Sequence, residues 1–235
     1  MSKKIAIMQP YFFPYIGYFQ LINAVDEFII YDNIKYTKKG WINRNRILSD
    51  GKDSLITLPI KKDSDFLDVA DRELPKNWER ERKKVINQIV NSYRKSPHFD
   101  SAFDIIEKSM SCSNTNLFEF IYYSLLQIND YIGIKTKIIK SSDVPIDHSL
   151  KSEDKIIEIC KNRNASVYIN PIGGTGLYRK GEFKDSNIDL YFIKSNPILY
   201  SQFSDNFIPW LSIIDVIMFN SKDEIQNHLK NFSLI

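Results

Sequence analysis

Gln9, Pro10 and Tyr11 come directly after an apolar run at residues 4–8, and Asp32 and Asn33 come directly after a second run at residues 27–31. Polar groups that follow buried parallel strands are the ones a sheet presents to a ligand. Gln9 offers an amide that both donates and accepts. Asp32 offers a carboxylate that could take a proton. A third stretch, TKKGWINRNRI at residues 37–47, combines Lys38, Lys39, Arg44 and Arg46 with Trp41, Asn43 and Asn45. Tryptophan gives a stacking face, and arginine a planar fork for phosphate or carboxylate. These residue types suit the wall of a nucleotide or sugar-nucleotide site, and equally a basic hairpin around one core tryptophan. A fourth, Gly173–Gly174–Gly176, follows another strand. Its amides could approach a phosphate, or its glycines could serve a tight turn of positive φ. It matches neither a dinucleotide fingerprint nor a P-loop. Asp215 sits within the apolar run SIIDVIMFN, where a buried acid must be paired; it either anchors a partner or acts as a base.

The elements that must position these groups follow from pattern. Residues 4–8, 27–31, 54–60, 166–171 and 189–195 read as strands, as does IKTKIIKSS at 134–142. A helix at 17–24 joins the first two strands, making a β-α-β unit and implying a right-handed parallel crossover. Residues 32–46 read as a long loop with short strands, and 63–71 as an exposed acidic connection. From Pro75 the period turns helical through Trp78, Val85, Ile86, Ile89 and Tyr93. A second helix carries Phe99, Phe103, Ile105 and Ile106, and a third spans about 116–131. Ser152 is expected to cap a helix with Glu153 and Asp154 in its first turn. A short helix is expected at 209–219, and a last one at the capping box Ser221 with Glu224. The expected fold is α/β: a mostly parallel, Rossmann-like sheet flanked by helices, in a single domain over 1–235 with a helical insertion at 75–132.

Composition bounds the partners. The formal net charge of +3 is small for 235 residues, with both signs mixed throughout, so no nucleic-acid ligand is expected. Cys112 and Cys160 show no paired spacing, and His98, His148 and His228 are scattered, so no metal site is expected. No apolar run is long enough to cross a bilayer, and the N-terminal pattern is not that of a signal peptide. A cytoplasmic protein is expected.

The run IAIMQPYFFPYIGYFQLINAVDEFIIYDN, followed by KKGWINRNRI, resembles the WbqC-like proteins. The later segments ASVYINPIGGTGLY and YSQFSDNFIPWLSIIDVIMFN agree with it, and the likeness runs nearly end to end. It carries over Gln9, Pro10, Tyr11, Pro14, Gly17 and Tyr18, then Asp32, Trp41, Asn43, Arg44 and Asn45, then Gly174, Tyr178, Gln202, Ser212 and Asp215. Asn170 and Pro171 depart from the smaller residues expected there. The resemblance implies a place in O-antigen or other surface-polysaccharide biosynthesis. It also implies transfer of an acyl or aminoacyl group, glycyl in the first instance, to the amine of a nucleotide-linked amino-dideoxy sugar, dTDP-linked in the favoured case. It assigns no catalytic role to any residue.

Residue chemistry and the resemblance together give Gln9, Asp32, Asn43 and Asp215 as catalytic candidates. The substrate-binding candidates are Tyr11, Lys38, Trp41, Arg44, Asn45, Gly173 and Gly174, with Tyr18, Tyr178, Gln202 and Ser212 added as what the resemblance implies. No tightly bound cofactor is expected. The activated donor would be an adenylate or other ATP-derived species, a thioester or an aminoacyl-tRNA. The competing readings are a nucleotidyltransferase- or ligase-like enzyme of the same fold type, and a non-catalytic sugar-nucleotide binding protein.

Overall fold

A computed structural model describes residues 2–235. Strand β1 (Lys4–Met8) leads through a loop to α1 (Ile16–Asn23) and then to β2 (Glu27–Ile30). All four residues of β2 are buried, as expected of a parallel strand covered on both faces. A hairpin follows, β3 (Arg44–Ser49) and β4 (Lys52–Thr57), which forms its own two-stranded sheet. Its turn places Asp50 and Gly51 at φ of 49° and 73°, the tight hairpin geometry that an Asp-Gly pair favours. The hairpin starts earlier than its sequence pattern indicated, and its second strand ends before Pro59, which has no N–H to donate.

Three helices come next: α2 (Trp78–Tyr93), α3 (Phe99–Met110) and α4 (Leu117–Tyr131). In α2 the residues Trp78, Val85, Ile89 and Tyr93 form one buried stripe at helical spacing. Asn116 caps α4 by accepting the amide of Glu119 at 3.1 Å. The remaining elements are β5 (Lys137–Lys140), α5 (Ser152–Asn162), β6 (Val167–Pro171), α6 (Lys180–Asp185), β7 (Asp189–Ser195), α7 (Ile213–Phe219), α8 (Lys222–Leu229) and β8 (Phe232–Leu234).

The main sheet has six strands in the order β5-β2-β1-β6-β7-β8. All neighbours are parallel except β7 and β8. One face carries α1, α2, α3, α4, α7 and α8, packed in a single apolar cluster with Ala6, Phe28, Ile30 and Ile169 of the sheet. The opposite face carries α5 and α6, where Ile156, Cys160 and Phe183 meet Ile5, Ile29, Tyr168 and Phe192.

Some expectations need correction. Ser152 is not a cap: it is the first residue of α5 at φ 49°, Lys151 holds the cap position, and no side-chain cap bond forms there. Glu153 instead turns to bind the guanidinium of Arg179. The helix expected at 209–219 starts only at Ile213, after Ser212 caps it. Two elements had no counterpart in the pattern, the six-residue α6 and the three-residue β8.

Candidate functional site

The chain runs from β1 outward to β2 on one side, while β6 and β7 extend the sheet on the other. The order therefore reverses between β1 and β6, and a crevice opens beyond the carboxyl ends of these strands. It has a volume of about 320 Å³ and is lined by Gln9 and Tyr11 after β1, by Tyr31 and Ile34 after β2, and by Gly173, Gly174, Leu177 and Tyr178 after β6. The hydroxyl of Tyr18 donates to the carbonyl of Gln9 at 2.8 Å, which fixes the backbone there. The side-chain amide of Gln9 makes no hydrogen bond to any described residue and is free to meet a ligand. Burial raises the hydroxyl pKa values of Tyr11, Tyr31 and Tyr178 above that of ordinary phenol, so at neutral pH all three are neutral donors.

The glycine turn adopts its shape for a reason other than positive φ. None of Gly173, Gly174 and Gly176 lies in the left-handed region. A Cβ on Gly174 would fall 1.9 Å from Nδ2 of Asn170, whose side chain is held between the Tyr168 hydroxyl at 2.9 Å and the Pro171 carbonyl at 3.0 Å. The larger residue at 170 is thus matched by an absent side chain at 174. Gly173 and Gly174 lie in the short 3-10 turn that follows β6.

Tyr11 also borders a second pocket of about 310 Å³, walled by Pro14, Tyr15, Trp41, Asn45, Arg46 and Trp210. Three distant segments are knit together to make it. Asn45 Nδ2 donates to the carbonyls of Phe12 at 3.1 Å and Phe13 at 2.8 Å. Ser212 Oγ donates to the Phe13 carbonyl at 2.7 Å, and the Ser212 amide to the Arg46 carbonyl at 2.8 Å. Phe12 and Phe13 are thereby turned into the core, while Tyr11 and Tyr15 stay partly open. Arg46 lies 5.9 Å from the Trp41 ring centre and is held by Asp53 at 3.2 Å and by the Trp210 carbonyl at 3.3 Å. Trp210 is 51% exposed and sits at φ 60°, a conformation that costs a bulky residue energy. Its indole meets Tyr15 edge-on at 6.0 Å.

Of the residues singled out by sequence, Gln9, Tyr11, Gly173, Gly174 and Tyr178 meet in the crevice, and Trp41 and Asn45 in the adjoining pocket. The others have their groups engaged within the protein. Asp32 accepts from Ser141 Oγ at 2.7 Å, from the Ser142 amide at 3.0 Å and from Ser142 Oγ. Burial alone would raise its pKa, but these bonds outweigh burial and hold it below the usual carboxylate value. An acid so stabilised as its anion is a poor proton acceptor, which corrects its expected role as a base. Asn43 donates to the Leu58 carbonyl at 2.7 Å and accepts from Tyr36 at 2.9 Å, so its amide is not free. Arg44 staples the turn before it, through the carbonyls of Gly40 and Lys39. Lys38 pairs with Asp65 at 2.8 Å. Tyr18 lies under the crevice, not in it.

Asp215 is fully buried and accepts from Tyr93 at 2.8 Å, Tyr200 at 2.6 Å and Gln202 at 2.8 Å. Burial raises its carboxyl pKa, and these three donors only partly offset the effect. Gln202 also closes the 202–208 loop onto Ile208. Asp215, Gln202 and Ser212 together anchor the segment that carries Trp210. Sequence reasoning named Arg46 within its basic stretch but did not place it in the site, and it missed Tyr15 and Trp210. Strand alternation puts Arg44 and Arg46 on one face, and only the turn bonded by Arg44 separates their roles. Among the described residues, no aspartate, glutamate or histidine lines either pocket.

A relative from Mycobacterium tuberculosis (strain ATCC 25618 / H37Rv), itself uncharacterized, is 28% identical over 232 residues, covering 97% of this chain and 98% of its own. The family profile described as WbqC-like matches residues 9–227. That match begins at Gln9, directly after β1, and takes in strands β2 to β7 with the pocket residues from Gln9 onward, and the chain belongs to the WbqC-like protein family.

Proposed function

We propose that this protein transfers an acyl or aminoacyl group to the amine of a nucleotide-linked amino-dideoxy sugar, of the dTDP type, in surface-polysaccharide biosynthesis. The observation that carries the reading is the pair of pockets joined at Tyr11: an aromatic slot beside one arginine, and a strand-end crevice with a free amide. The slot has the chemistry for a base and its phosphates, through Trp41, Tyr15 and Arg46. The crevice then receives the sugar.

An apolar, aromatic lining disfavours a charged ammonium, so a bound amine is presented as the neutral nucleophile. Its nitrogen attacks the carbonyl carbon of the activated donor. The new C–N bond forms as the C–O bond of an adenylate or ester, or the C–S bond of a thioester, breaks. The proton lost from nitrogen leaves with the departing group. Gln9, whose amide is unengaged, is the donor suited to the developing oxyanion. Asn43 cannot take that part, because its donor is held by Leu58.

A second reading, a non-catalytic sugar-nucleotide binding protein, is favoured by the lack of any carboxylate or imidazole among the described residues lining the pockets. One experiment separates the two. The purified protein is incubated with a dTDP-linked amino sugar and, in parallel, glycine with ATP or an acyl thioester. Gain of one acyl unit by the sugar in mass spectrometry supports transfer, with Gln9→Ala expected to lower turnover about 100-fold at little change in KM. Saturable binding without mass gain leaves the binding protein. Failure to bind any nucleotide sugar would sink both.

A further inference from the structure

Arg72 is only 2% exposed, yet its Nε and Nη2 have no hydrogen-bond partner. A guanidinium carries five donors and is expensive to bury unpaired. The nearest carboxylate oxygen, Oδ1 of Asp65, stands 4.0 Å from Nη2, beyond hydrogen-bond reach. The guanidinium also lies 4.7 Å over the Tyr36 ring, a contact that compensates only part of the lost hydration. Tyr36 is itself fixed by its hydroxyl bond to Asn43.

The surroundings converge on Asp65. Lys38 Nζ bonds its other oxygen, Oδ2, at 2.8 Å. Lys35 lies 4.5 Å over the ring of Phe66, next in the chain, and its charge also acts on Asp65. Residues 61–66 are exposed, and Phe66 is 82% exposed, whereas the next turn is tied down through Leu67 and Val69 to Tyr36 and Ile34. One flat carboxylate thus satisfies Lys38 and falls short of Arg72. A tetrahedral phosphate has a third oxygen and a wider spread, enough to serve Lys38 and the guanidinium fork together.

We propose that Arg72, Lys38 and Lys35 form a second anion site, for a phosphate or diphosphate group, in which the carboxylate of Asp65 serves as the resident stand-in. Both partners of the Lys38–Asp65 pair are more than half exposed, and such pairs hold weakly, so the exchange is cheap. The site is independent of the transferase reading, because its ligand chemistry is that of phosphate alone.

Isothermal titration with inorganic pyrophosphate tests it. Asp65→Asn is expected to raise affinity about tenfold, and Lys38→Met and Arg72→Met to lower it by at least as much. Asp63→Asn makes the same charge change beside Lys61 and is expected to leave affinity unchanged. Equal gains from Asp63→Asn and Asp65→Asn would reduce the effect to general surface charge and overturn the site. An unaltered affinity in Lys38→Met, or no pyrophosphate binding by either wild type or Asp65→Asn, would do the same. The exposed variants at 38, 63 and 65 carry the decision should Arg72→Met fail to fold. Thymidine diphosphate supplies the second arm. Tighter binding that Trp41→Ala and Lys38→Met each weaken makes the site the diphosphate end of a nucleotide, and binding equal to that of pyrophosphate makes it a site for a free diphosphate.

Discussion

Gln9 and Asp32 follow neighbouring strands, β1 and β2, yet their side chains meet opposite fates. Tyr18 takes only the backbone carbonyl of Gln9 and leaves its amide unengaged. Ser141 and Ser142 enclose the carboxylate of Asp32. Position after a strand was legible in sequence; the serines, more than 100 residues downstream, were not. The consequence for Asp32 is a linkage to pH. Its folded pKa lies below the ordinary aspartate value of 3.8, so its contribution is present above that value and is lost as pH falls through the folded pKa. Asp32→Asn removes the anion and leaves buried donors short of an acceptor. It is expected to cost about 1–3 kcal/mol at pH 7. In urea unfolding the gap to wild type should close as the pH drops below 3.8. A variant as stable as wild type at pH 7 would mean the carboxylate is not needed by the serines, and would return it to the list of proton acceptors.

At the scale of elements, the first loop and the glycine turn show why type could be read and facing could not. The segment YFFPY has neither a two-residue nor a 3.6-residue period, so nothing local decides which rings turn inward. Asn45 and Ser212 decide it, by holding the carbonyls of Phe12 and Phe13. Gly17 belongs to the same packing, since a Cβ there would meet the Tyr15 ring at 2.3 Å. The hairpin behind the loop did carry a local signal, the Asp50–Gly51 pair, which marks its turn. The turn after β6 gives a sharper test. Because φ at Gly174 is ordinary, any penalty for a side chain there comes from Asn170 alone. Gly174→Ala is expected to destabilise by about 1–3 kcal/mol through overpacking. Asn170→Ala should make the same substitution nearly neutral, giving a coupling energy well above the ~0.5 kcal/mol of independent sites. Thermal or urea unfolding of the four-protein cycle reads it out, and additivity would refute the contact.

For the whole molecule, the parallel core was the legible part. β1 and β7 matched their expected residues end to end: the centre of β1 is a continuous buried run, and β7 alternates buried Leu190 and Phe192 with exposed Asp189 and Tyr191. The strand order was not legible residue by residue, but the alternation of strand and helix limits it to crossovers of one hand. What escaped notice was short: β8 has only three residues, too few for a period. Its role is to close an edge. The far edge, β5, begins and ends in lysine, a common guard against pairing with another chain. On β7 the guard is β8 itself, paired antiparallel through Ile193–Leu234 and Ser195–Phe232, with Phe192 and Ile235 exchanging backbone bonds at 2.9 and 3.0 Å. Removing residues 232–235 would leave the outer edge of β7 unpaired while sparing both pockets. The truncated protein is expected to lose about 1–3 kcal/mol of stability from the missing bonds and burial, and to self-associate with rising concentration. Light scattering after size exclusion checks the last point. A truncated chain that stays monomeric across the range would show that β8 is an appendage to the sheet, and that the twist of β7 alone suffices to keep its edge from pairing.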